Sequence, residues 1–564
     1  MFCCRRILVV GFAVTLFVLM GSEFTSAQPT QPAQPAKRRP NVLIILADDL
    51  GYSDLGCYGS EIATPQLDGL AKNGLRFTNF YNTARCWPTR GALLTGYYAQ
   101  QIRRDTVPGV RSGGQGVRPR WAVLLPEWLQ LSGYRTYHSG KWHIDGQPLK
   151  NGFDHSYELG GASQSNFFKT QGVTDDGQPV PQTDGYYSTV GVADHAVRCL
   201  KEHTEKFAEK PFFHYLCFTA PHFPLHALPE DIQKYQDRYQ KGWNEVQQAR
   251  YAKQKELGIA QGSLPALERE VGPPYPFPAA IEKLGAGEVN RPLPWSELTQ
   301  EQQEFQAAKM AIHAAMVDRM DVEIGKVLAQ LKAMNQFENT LIFFLSDNGA
   351  SAEIMVRGDG HDPAAPLGSA ATYPCLGPGW SSCSNTPFRR HKTWVHEGGI
   401  STPLVVHWPA SIAAKGELRH TPGHVIDLFL TIFNLTGPHD KAPERPEVNL
   451  QPIPRMRSLE AAFVKDAANL NAESGGRELW WLHEGNRALR SGKWKVVAAK
   501  DQPWELYDLS TDRGETKNLA TVHRERLQEL TSRWHEEFDR FNQDAILDGP
   551  PPEAEPAKKK GKKG

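Results

Sequence analysis

Four strand-like runs along the chain each end in polar side chains that can carry chemistry. The runs lie at residues 41–47 (NVLIILA), 133–137 (GYRTY), 211–219 (PFFHYLCFT) and 341–345 (LIFFL). Apolar runs rich in branched and aromatic residues are typical of parallel strands that are buried on both faces. Because ligands bind beyond the carboxyl ends of such strands, the polar residues after the four runs are expected to share one edge of a sheet.

Apolar residues at helical spacing predict a long amphipathic helix over residues 305–334 and a shorter helix over 124–131. After about residue 454 the pattern changes to short aromatic strands and one amphipathic helix, which predicts a smaller α+β subdomain. The predicted strands lie at 479–483, 493–498 and 505–509, and the helix at 522–541.

Two long stretches interrupt the regular pattern. Residues 229–294 are polar and proline-rich, and residues 351–385 are rich in Gly, Pro and Ala. Long segments with little regular pattern are often functional, so both stretches are expected to be excursions from the core, the first one shaping substrate access.

The ends of the chain predict export. A basic start, an apolar run over 7–20 and the small residues Ser26 and Ala27 form a secretory signal pattern. The apolar run is too short for a membrane span, so the mature chain is expected to have none and to be periplasmic or secreted. The predicted organisation is a signal peptide (1–27), a disordered leader (28–40), a catalytic domain (41–454), a C-terminal subdomain (455–545) and a disordered basic tail (546–564).

Composition narrows the possible partners. The 564 residues contain 63 Lys and Arg and 63 Asp and Glu, so the chain has no net charge that would indicate bulk nucleic-acid binding. Any recognition of an anion must therefore be local. Six cysteines lie beyond the signal peptide, too few for a disulfide scaffold, although Cys375 and Cys383 flank a Gly-Pro-Gly turn and are candidates for one bond.

The segment from Cys86 to Gly96 (CWPTRGALLTG) carries the strongest candidate chemistry. Pro88 suits the first turn of a helix, which places Cys86 at the helix N-terminus. The unpaired N–H groups and the helix dipole favour an anion at that end. Arg90 follows one turn later on the same face. A sulfur nucleophile, a cation and a helix N-terminus are therefore expected to meet at one point.

Two residue pairs follow predicted strands and offer only oxygen ligands. Asp48 and Asp49 end the first run, and Asp347 and Asn348 follow the fourth. Such pairs also commonly end strands and begin turns. If they hold a metal, oxygen ligands favour Ca²⁺ or Mg²⁺ over zinc or copper.

The pattern Cys86-x-Pro88-x-Arg90, followed by Leu94-Thr95-Gly96, resembles the signature of the type I, formylglycine-dependent sulfatases of the arylsulfatase kind. Thr89 stands where the family usually has serine. The family's remaining active-site motifs follow in order, as Gly140-Lys141-Trp142-His143, Pro221-His222-Phe223-Pro224 and Lys392-x4-Glu397-Gly398-Gly399. The stretch at 506–520 also resembles the C-terminal subdomain of sulfatases.

This resemblance implies the fold of the alkaline phosphatase superfamily, an α/β sandwich with a large mixed, mostly parallel sheet between helices and a small C-terminal α+β subdomain. It implies that a formylglycine-generating or anaerobic maturation enzyme oxidises Cys86 to formylglycine. It also implies one Ca²⁺, with Mg²⁺ less suited. The implied metal ligands are Asp48, Asp49, the oxidised Cys86, Asp347 and Asn348.

The same resemblance assigns catalytic roles. The hydrated formylglycine attacks sulfur with one hydroxyl, whose proton Asp347 can accept, and Arg90 stabilises this hydrated form. Lys141, His222 and Lys392 hold the sulfate oxygens, and His222 or Lys392 protonates the leaving oxygen. His143 takes a proton from the second hydroxyl, which releases sulfate.

The expected activity is hydrolysis of sulfate monoesters, aryl sulfates in the test tube and a sulfated carbohydrate, such as a polysaccharide, in nature. Two alternatives remain at this stage. The superfamily also hydrolyses phosphate and phosphonate monoesters, and a chain with unoxidised Cys86 would be a glycan-binding protein without turnover.

Overall fold

The structure is a computed structural model that describes residues 39–549 except 161–165, 357–359, 438, 440, 445 and 467–476. The predicted signal peptide, almost all of the predicted leader and residues 550–564 of the predicted tail lie outside the described residues. No helix in the described part of the chain is long and apolar enough to cross a membrane.

Strands form three sheets of very different size. In chain order they are β1 (Asn41–Ala47), β2 (Leu75–Phe77), β3 (Phe80–Tyr81), β4 (Arg135–Gly140), β5 (His155–Glu158), β6 (Thr174–Asp175), β7 (Gln178–Pro179), β8 (Phe212–Cys217), β9 (Thr340–Ser346), β10 (Leu404–His407), β11 (Glu417–Arg419), β12 (Gly423–His424), β13 (Glu478–His483), β14 (Asn486–Ser491), β15 (Trp494–Ala498) and β16 (Glu505–Asp508).

Helices cover both faces of the largest sheet. They are α1 (Pro65–Lys72), α2 (Cys86–Thr95), α3 (Leu125–Leu131), α4 (Ser188–Lys206), α5 (Pro229–Gln233), α6 (Gly242–Glu256), α7 (Pro278–Leu284), α8 (Gln300–Ala333), α9 (Gly377–Ser384), α10 (Glu397–Ile400), α11 (Ile426–Thr436), α12 (Glu460–Val464) and α13 (Arg524–Asp544).

The largest sheet has ten strands in the order β11-β2-β10-β9-β1-β8-β4-β5-β6-β7. Its centre, β9-β1-β8-β4, is parallel throughout, with β1 pairing β8 on one side and β9 on the other. Antiparallel pairs at β10 and at β6 and β7 make the whole sheet mixed. The four predicted strands are therefore neighbours and their carboxyl ends share one edge, as the sequence predicted.

Alternation along β1 explains the two helical layers. Leu43 and Ile45 belong to an apolar cluster with residues of α1, α4 and α8. Val42 and Ile44 point the other way, into a cluster with residues of α2, α3 and α11. Successive strand residues face opposite sides of a sheet, so an uninterrupted apolar run requires cover on both. The predicted sandwich is confirmed.

The long helix begins five residues earlier than the apolar pattern predicts. Thr299 caps it, because its Oγ1 accepts a hydrogen bond from Gln302 N at 3.2 Å. The Gln302 side chain accepts one from Thr299 N at 3.0 Å in return. This reciprocal capping box satisfies two N–H groups that the helix leaves unpaired, and it extends α8 beyond its apolar residues.

The stretch 229–294 is not an excursion from the core. Its helix α6 buries Trp243, whose ring centroid lies 4.8 Å from that of Trp295 and 5.6 Å from that of Trp380. Trp380 belongs to α9, so part of the second stretch, 351–385, is also helical and buried. Each buried tryptophan removes a large apolar area from water, and this burial anchors the otherwise polar segment to the core.

The candidate disulfide is not formed. Cys375 and Cys383 are both free and buried. The Cys375 thiol instead donates to Met355 O at 3.2 Å. Both cysteines therefore behave as small buried hydrophobic residues.

The C-terminal sheet (β13 to β16) is antiparallel, and α13 packs against it. Trp480 of β13 stacks on Trp534 of α13 with ring centroids 5.4 Å apart. The predicted strands lie within three residues of β13, β15 and β16. Strand β14 was missed because its sequence, NRALRS, has two arginines and no apolar run.

Buried neutral histidines make the fold sensitive to acid. Burial lowers the pKa of His138 and of His214 to about 3. An unfolded histidine has a pKa of about 6.5, so below that pH the unfolded chain gains a proton that the folded chain does not. The unfolding free energy should decrease as the pH falls from 6 to 5. We expect His214→Gln to reduce the slope of this decrease by up to about 1.4 kcal/mol per pH unit.

Urea unfolding at pH 5, 6 and 7 measures this slope, and His535→Gln, which removes an exposed histidine, is the control. Equal slopes for His214→Gln and the unmodified protein would contradict the prediction.

Candidate active site

The predicted site residues meet at the carboxyl edge of the parallel strands. Asp48 and Asp49 follow β1, Lys141 follows β4, and Asp347 and Asn348 follow β9. His222 lies in the segment after β8, and Cys86 is the first residue of α2. Lys392 and His143 also reach this edge. All of these residues except His143 are at most 3% exposed.

Cys86 stands at the N-terminus of α2, as predicted. Thr89, one residue after Pro88, secures the turn before the helix, because its Oγ1 accepts a hydrogen bond from Thr83 N at 3.1 Å and lies 2.7 Å from Thr83 Oγ1. Burial raises the pKa of the Cys86 thiol, although Lys141 and Lys392 oppose the shift. An unmodified thiol here is therefore protonated near neutral pH and a poor nucleophile.

Arg90 connects two of the strand ends. Its Nε and Nη2 donate to Asp347 Oδ2 at 2.9 and 2.7 Å, and its Nη1 donates to Lys141 O at 2.7 Å. Its Nη2 also lies 3.8 Å from Asp48 Oδ2. Both side-chain donors meet the same Asp347 oxygen in charge-assisted hydrogen bonds, and Arg90 thereby aligns the loops after β9 and β4.

The two lysines of the site face the carboxylates that follow β1. Lys141 Nζ donates to Asp48 Oδ2. Lys392 Nζ lies 2.8 Å from Asp49 Oδ1, and Asn348 Nδ2 donates to the same oxygen at 2.7 Å. His222 Nε2 is 3.6 Å from Asp49 Oδ2. The named charges balance, with three carboxylates, those of Asp48, Asp49 and Asp347, against two lysines and Arg90.

Neighbouring carboxylates have opposite protonation tendencies. Burial and the nearby Asp347 carboxylate raise the pKa of Asp48. Burial also acts to raise the pKa of Asp49, but Lys392 and His222 outweigh it and lower the value to about 2. Burial lowers the pKa of His222 to about 4 despite Asp49. Like charges in one dry site disfavour each other's ionisation, which is the condition that a bound cation relieves.

The donor set fits a hard divalent cation. Asp48 Oδ1 and Asn348 Oδ1 are buried and have no hydrogen-bond partner in the described part of the chain. Ligand atoms of Asp48, Asp49 and His222 lie within 4.8 Å of one another. Buried oxygens without hydrogen bonds are costly unless something else satisfies them. Three carboxylates and an amide oxygen are the ligands that Ca²⁺ and Mg²⁺ prefer.

His143 is partly exposed and lies beside Trp87, with ring centroids 5.7 Å apart. Its Nδ1 is buried without a hydrogen-bond partner among residues that the structure describes. Burial, followed by the positive charges of Lys141 and Arg90, lowers the pKa of His143 well below its usual range. A neutral imidazole can accept a proton, so this environment agrees with the role that the family resemblance implies.

The sequence did not reveal a further group of residues that surrounds Lys392. Glu353 Oε2 lies 3.1 Å from Lys392 Nζ, and Glu353 Oε1 accepts a hydrogen bond from Arg85 Nη2 at 3.0 Å. The Arg85 guanidinium lies between the rings of Trp87 and Tyr275, at 5.1 and 5.3 Å from their centroids. The one feature of the sequence that could have indicated a role for Arg85 is its position directly before Cys86.

Comparison with known proteins agrees with this geometry. The family model described as Sulfatase matches residues 40–438. An uncharacterized sulfatase of Schizosaccharomyces pombe is 33% identical over 547 residues, which cover 89% of this chain and 94% of the relative. An arylsulfatase of Klebsiella aerogenes is 33% identical over 433 residues, which cover 71% of this chain and 87% of the relative.

Among solved structures, that of Ps i-CgsB is 25% identical, has a TM-score of 0.62 and covers 90% of this chain and 94% of that chain. Together the similarities support sulfuric ester hydrolase activity of the arylsulfatase type.

Proposed function

This chain belongs to the sulfatase family of the alkaline phosphatase superfamily and is a sulfuric ester hydrolase of the arylsulfatase type, and we propose that it acts through a formylglycine made from Cys86 and a bound Ca²⁺. The observation that carries the proposal is the arrangement around Cys86. A buried cysteine at a helix N-terminus shares one strand edge with two lysines, Arg90 and buried oxygens that lack hydrogen bonds.

The formylglycine would supply a hydrated aldehyde, one hydroxyl of which is the nucleophile. The protonated thiol of Cys86 could not serve in that role. Formation of the formylglycine requires a maturation enzyme, which we include in the proposal. The N-terminal end of α2 favours the negative charge of the sulfate group next to that nucleophile.

The cation would be held by Asp48, Asp49, Asp347, Asn348 and the oxidised Cys86. When bound there, Ca²⁺ supplies positive charge that polarises the nucleophilic hydroxyl. Arg90 keeps Asp347 in place through its paired hydrogen bonds, and Asn348 stays oriented by its bond to Asp49.

Lys141, Lys392 and His222 bind and orient the sulfate group. A sulfate ester brings negative oxygens into a site that excludes water, where fixed positive charges stabilise the transition state strongly. His222 and Lys392 both reach Asp49 and are placed to protonate the leaving oxygen on that side, His222 once the negative sulfate group raises its pKa from about 4. His143, beside Trp87, takes a proton when sulfate is released.

We also propose a sulfated carbohydrate as the natural substrate and a location outside the cytoplasm. The structure of Ps i-CgsB has been solved in complex with k-i-k-neocarrahexaose, which supports a carbohydrate leaving group. The basic and apolar pattern of residues 1–27 supports export.

Matched aryl esters test the reaction. We expect a kcat/KM for 4-nitrophenyl sulfate about 100-fold above that for 4-nitrophenyl phosphate, a difference of about 2.7 kcal/mol in transition-state stabilisation. Phosphate monoesters carry more negative charge than sulfate monoesters near neutral pH, so the site should bind them tightly in the ground state. Tight ground-state binding does not by itself increase the rate of the chemical step. Inorganic phosphate should therefore inhibit competitively. A higher kcat/KM for the phosphate ester would refute the proposed function.

A further inference from the structure

The loop that carries Lys392 is held by the C-terminal sheet. We call residues 388–397 the lysine loop. Asn486 Nδ2 donates to Thr393 O at 3.2 Å, directly after Lys392. His396 Nε2 lies 3.1 Å from Glu505 Oε2. The residues of the C-terminal sheet and its following turn that contact the lysine loop are Asn486, Lys495, Glu505, Tyr507, Arg513 and Glu515.

Glu397, the last residue of this loop, is the centre of a buried charge network. Its Oε1 accepts a hydrogen bond from Lys495 Nζ at 2.9 Å, and its Oε2 accepts one from Arg513 Nη2 at 2.9 Å. Its backbone N donates to Glu515 Oε2 at 3.0 Å. Lys495 Nζ also lies 2.8 Å from Glu515 Oε1. Two positive and two negative groups thus neutralise each other in the largely buried network.

The two glycines directly after Glu397 pack against the backbone on either side of Lys392. A Cβ atom on Gly399 would lie 1.9 Å from Trp394 O, and one on Gly398 would lie 2.3 Å from Arg390 O. Only glycine permits such close backbone approach, which explains the Glu-Gly-Gly sequence after the lysine. A displacement of Glu397 therefore moves the backbone on either side of Lys392.

Both the backbone and the side chain of Lys392 are held by neighbouring segments of the active site. Its N donates to Ala350 O at 3.1 Å, and Thr393 N donates to Ala84 O at 2.9 Å. These bonds connect the lysine loop to the segments after Asp347 and before Cys86. The ammonium then meets Asp49 at 2.8 Å and Glu353 at 3.1 Å.

We propose that Lys495 and Arg513 are positioning residues, which set the place of the Lys392 ammonium in the active site through Glu397. The C-terminal sheet is then a working part of the catalytic apparatus. This inference rests on the proposed role of Lys392 in binding the sulfate group.

A double-mutant cycle tests the inference with 4-nitrophenyl sulfate as substrate. We expect Lys392→Met to lower kcat/KM by about 10³-fold. Lys495→Met should lower kcat/KM by about 10- to 100-fold, the range for displacing a catalytic group by about 1 Å. Once Lys392 is already Met, adding Lys495→Met should cost less than about 3-fold, because residues that act through one another are not additive. Lys495→Arg should restore most of the activity.

Lys309→Met is the matched control. Lys309 forms an equally buried ion pair with Glu288 at 2.7 Å, and neither residue contacts the lysine loop. The Lys309→Met variant should lower Tm as much as Lys495→Met does. Its kcat/KM should change by less than about 3-fold. If Lys495→Met does not fold, Arg513→Gln takes its place in the cycle, since Arg513 is partly exposed.

The outcomes separate the two proposals. Wild-type activity of Lys392→Met would refute the proposed role of Lys392 and the positioning inference with it. A strongly impaired Lys392→Met combined with a fully active Lys495→Met, or with equal fold losses from Lys495→Met in both backgrounds, would refute the positioning inference alone.

Discussion

Replacing Cys86 by alanine should lower kcat for 4-nitrophenyl sulfate by about 10⁴-fold or more, the size of effect seen when a covalent nucleophile is removed. The remaining cations can still bind the sulfate group, so KM should change much less than kcat. Cys86 is buried and small, and the lost thiol leaves only a minor gap, so Tm should fall by a few degrees at most.

The wild-type enzyme allows a direct chemical check. In the active enzyme the peptide that contains Cys86 should be lighter than the encoded mass and should react with a hydrazide, as an aldehyde does. Cys199→Ala is the control, because Cys199 is also buried but lies in helix α4, where its charged neighbours do not belong to the proposed machinery. Full activity in a preparation whose Cys86 is entirely unmodified would contradict the formylglycine mechanism.

Replacing Asp347 by alanine should remove both the bound cation and the activity, with kcat/KM falling by about 10³-fold. The change takes away one of three carboxylates and deprives Arg90 of two of its hydrogen bonds. A buried guanidinium without its partner costs about 3–5 kcal/mol, so the unfolding free energy should also decrease. Elemental analysis of the purified protein measures the cation, and denaturant unfolding measures the stability.

Asp321→Asn separates the effect on the metal from the effect on stability. Asp321 is also a buried acid, but it accepts hydrogen bonds from Gln66 N and Leu67 N at the start of α1, away from the site. It should destabilise the protein and leave the cation content unchanged. Stoichiometric zinc without calcium or magnesium in the active enzyme, or a full cation content in Asp347→Ala, would disprove the oxygen-ligand site.

The site residues at the strand ends were predictable because the sequence marks those strands clearly, whereas Lys392, between α9 and α10, was identified from the family resemblance alone. Asp48, Lys141 and Asp347 come directly after β1, β4 and β9, and parallel strands bring their carboxyl ends to one edge. The helix start at Cys86 was equally local, since Pro88 marks a first turn. Residue order along the chain therefore contained most of the site.

Buried polar segments were not predictable in this way. Helix α6 was taken for an excursion because its sequence is polar, yet Gln254 is buried and donates from Nε2 to Tyr58 O at 3.1 Å and to Thr386 O at 2.8 Å. Strand β14 was missed although Arg490 lies inside the C-terminal sheet and donates to Tyr81 OH at 2.6 Å. Hydrophobic patterning detects burial of apolar groups only, and these side chains are buried because distant partners satisfy them.

The sequence by itself determined the central strands, the helix at Cys86 and the residue types at the site, since these depend on spacing within a few residues. Tertiary structure alone decided the pairing of charges. It placed Lys141 on Asp48, Arg90 on Asp347 and Lys495 on Glu397, partners that are 93 to 257 positions apart. Coulomb and hydrogen-bond energies in a dry interior depend on distances of a few ångströms, which only the folded chain sets.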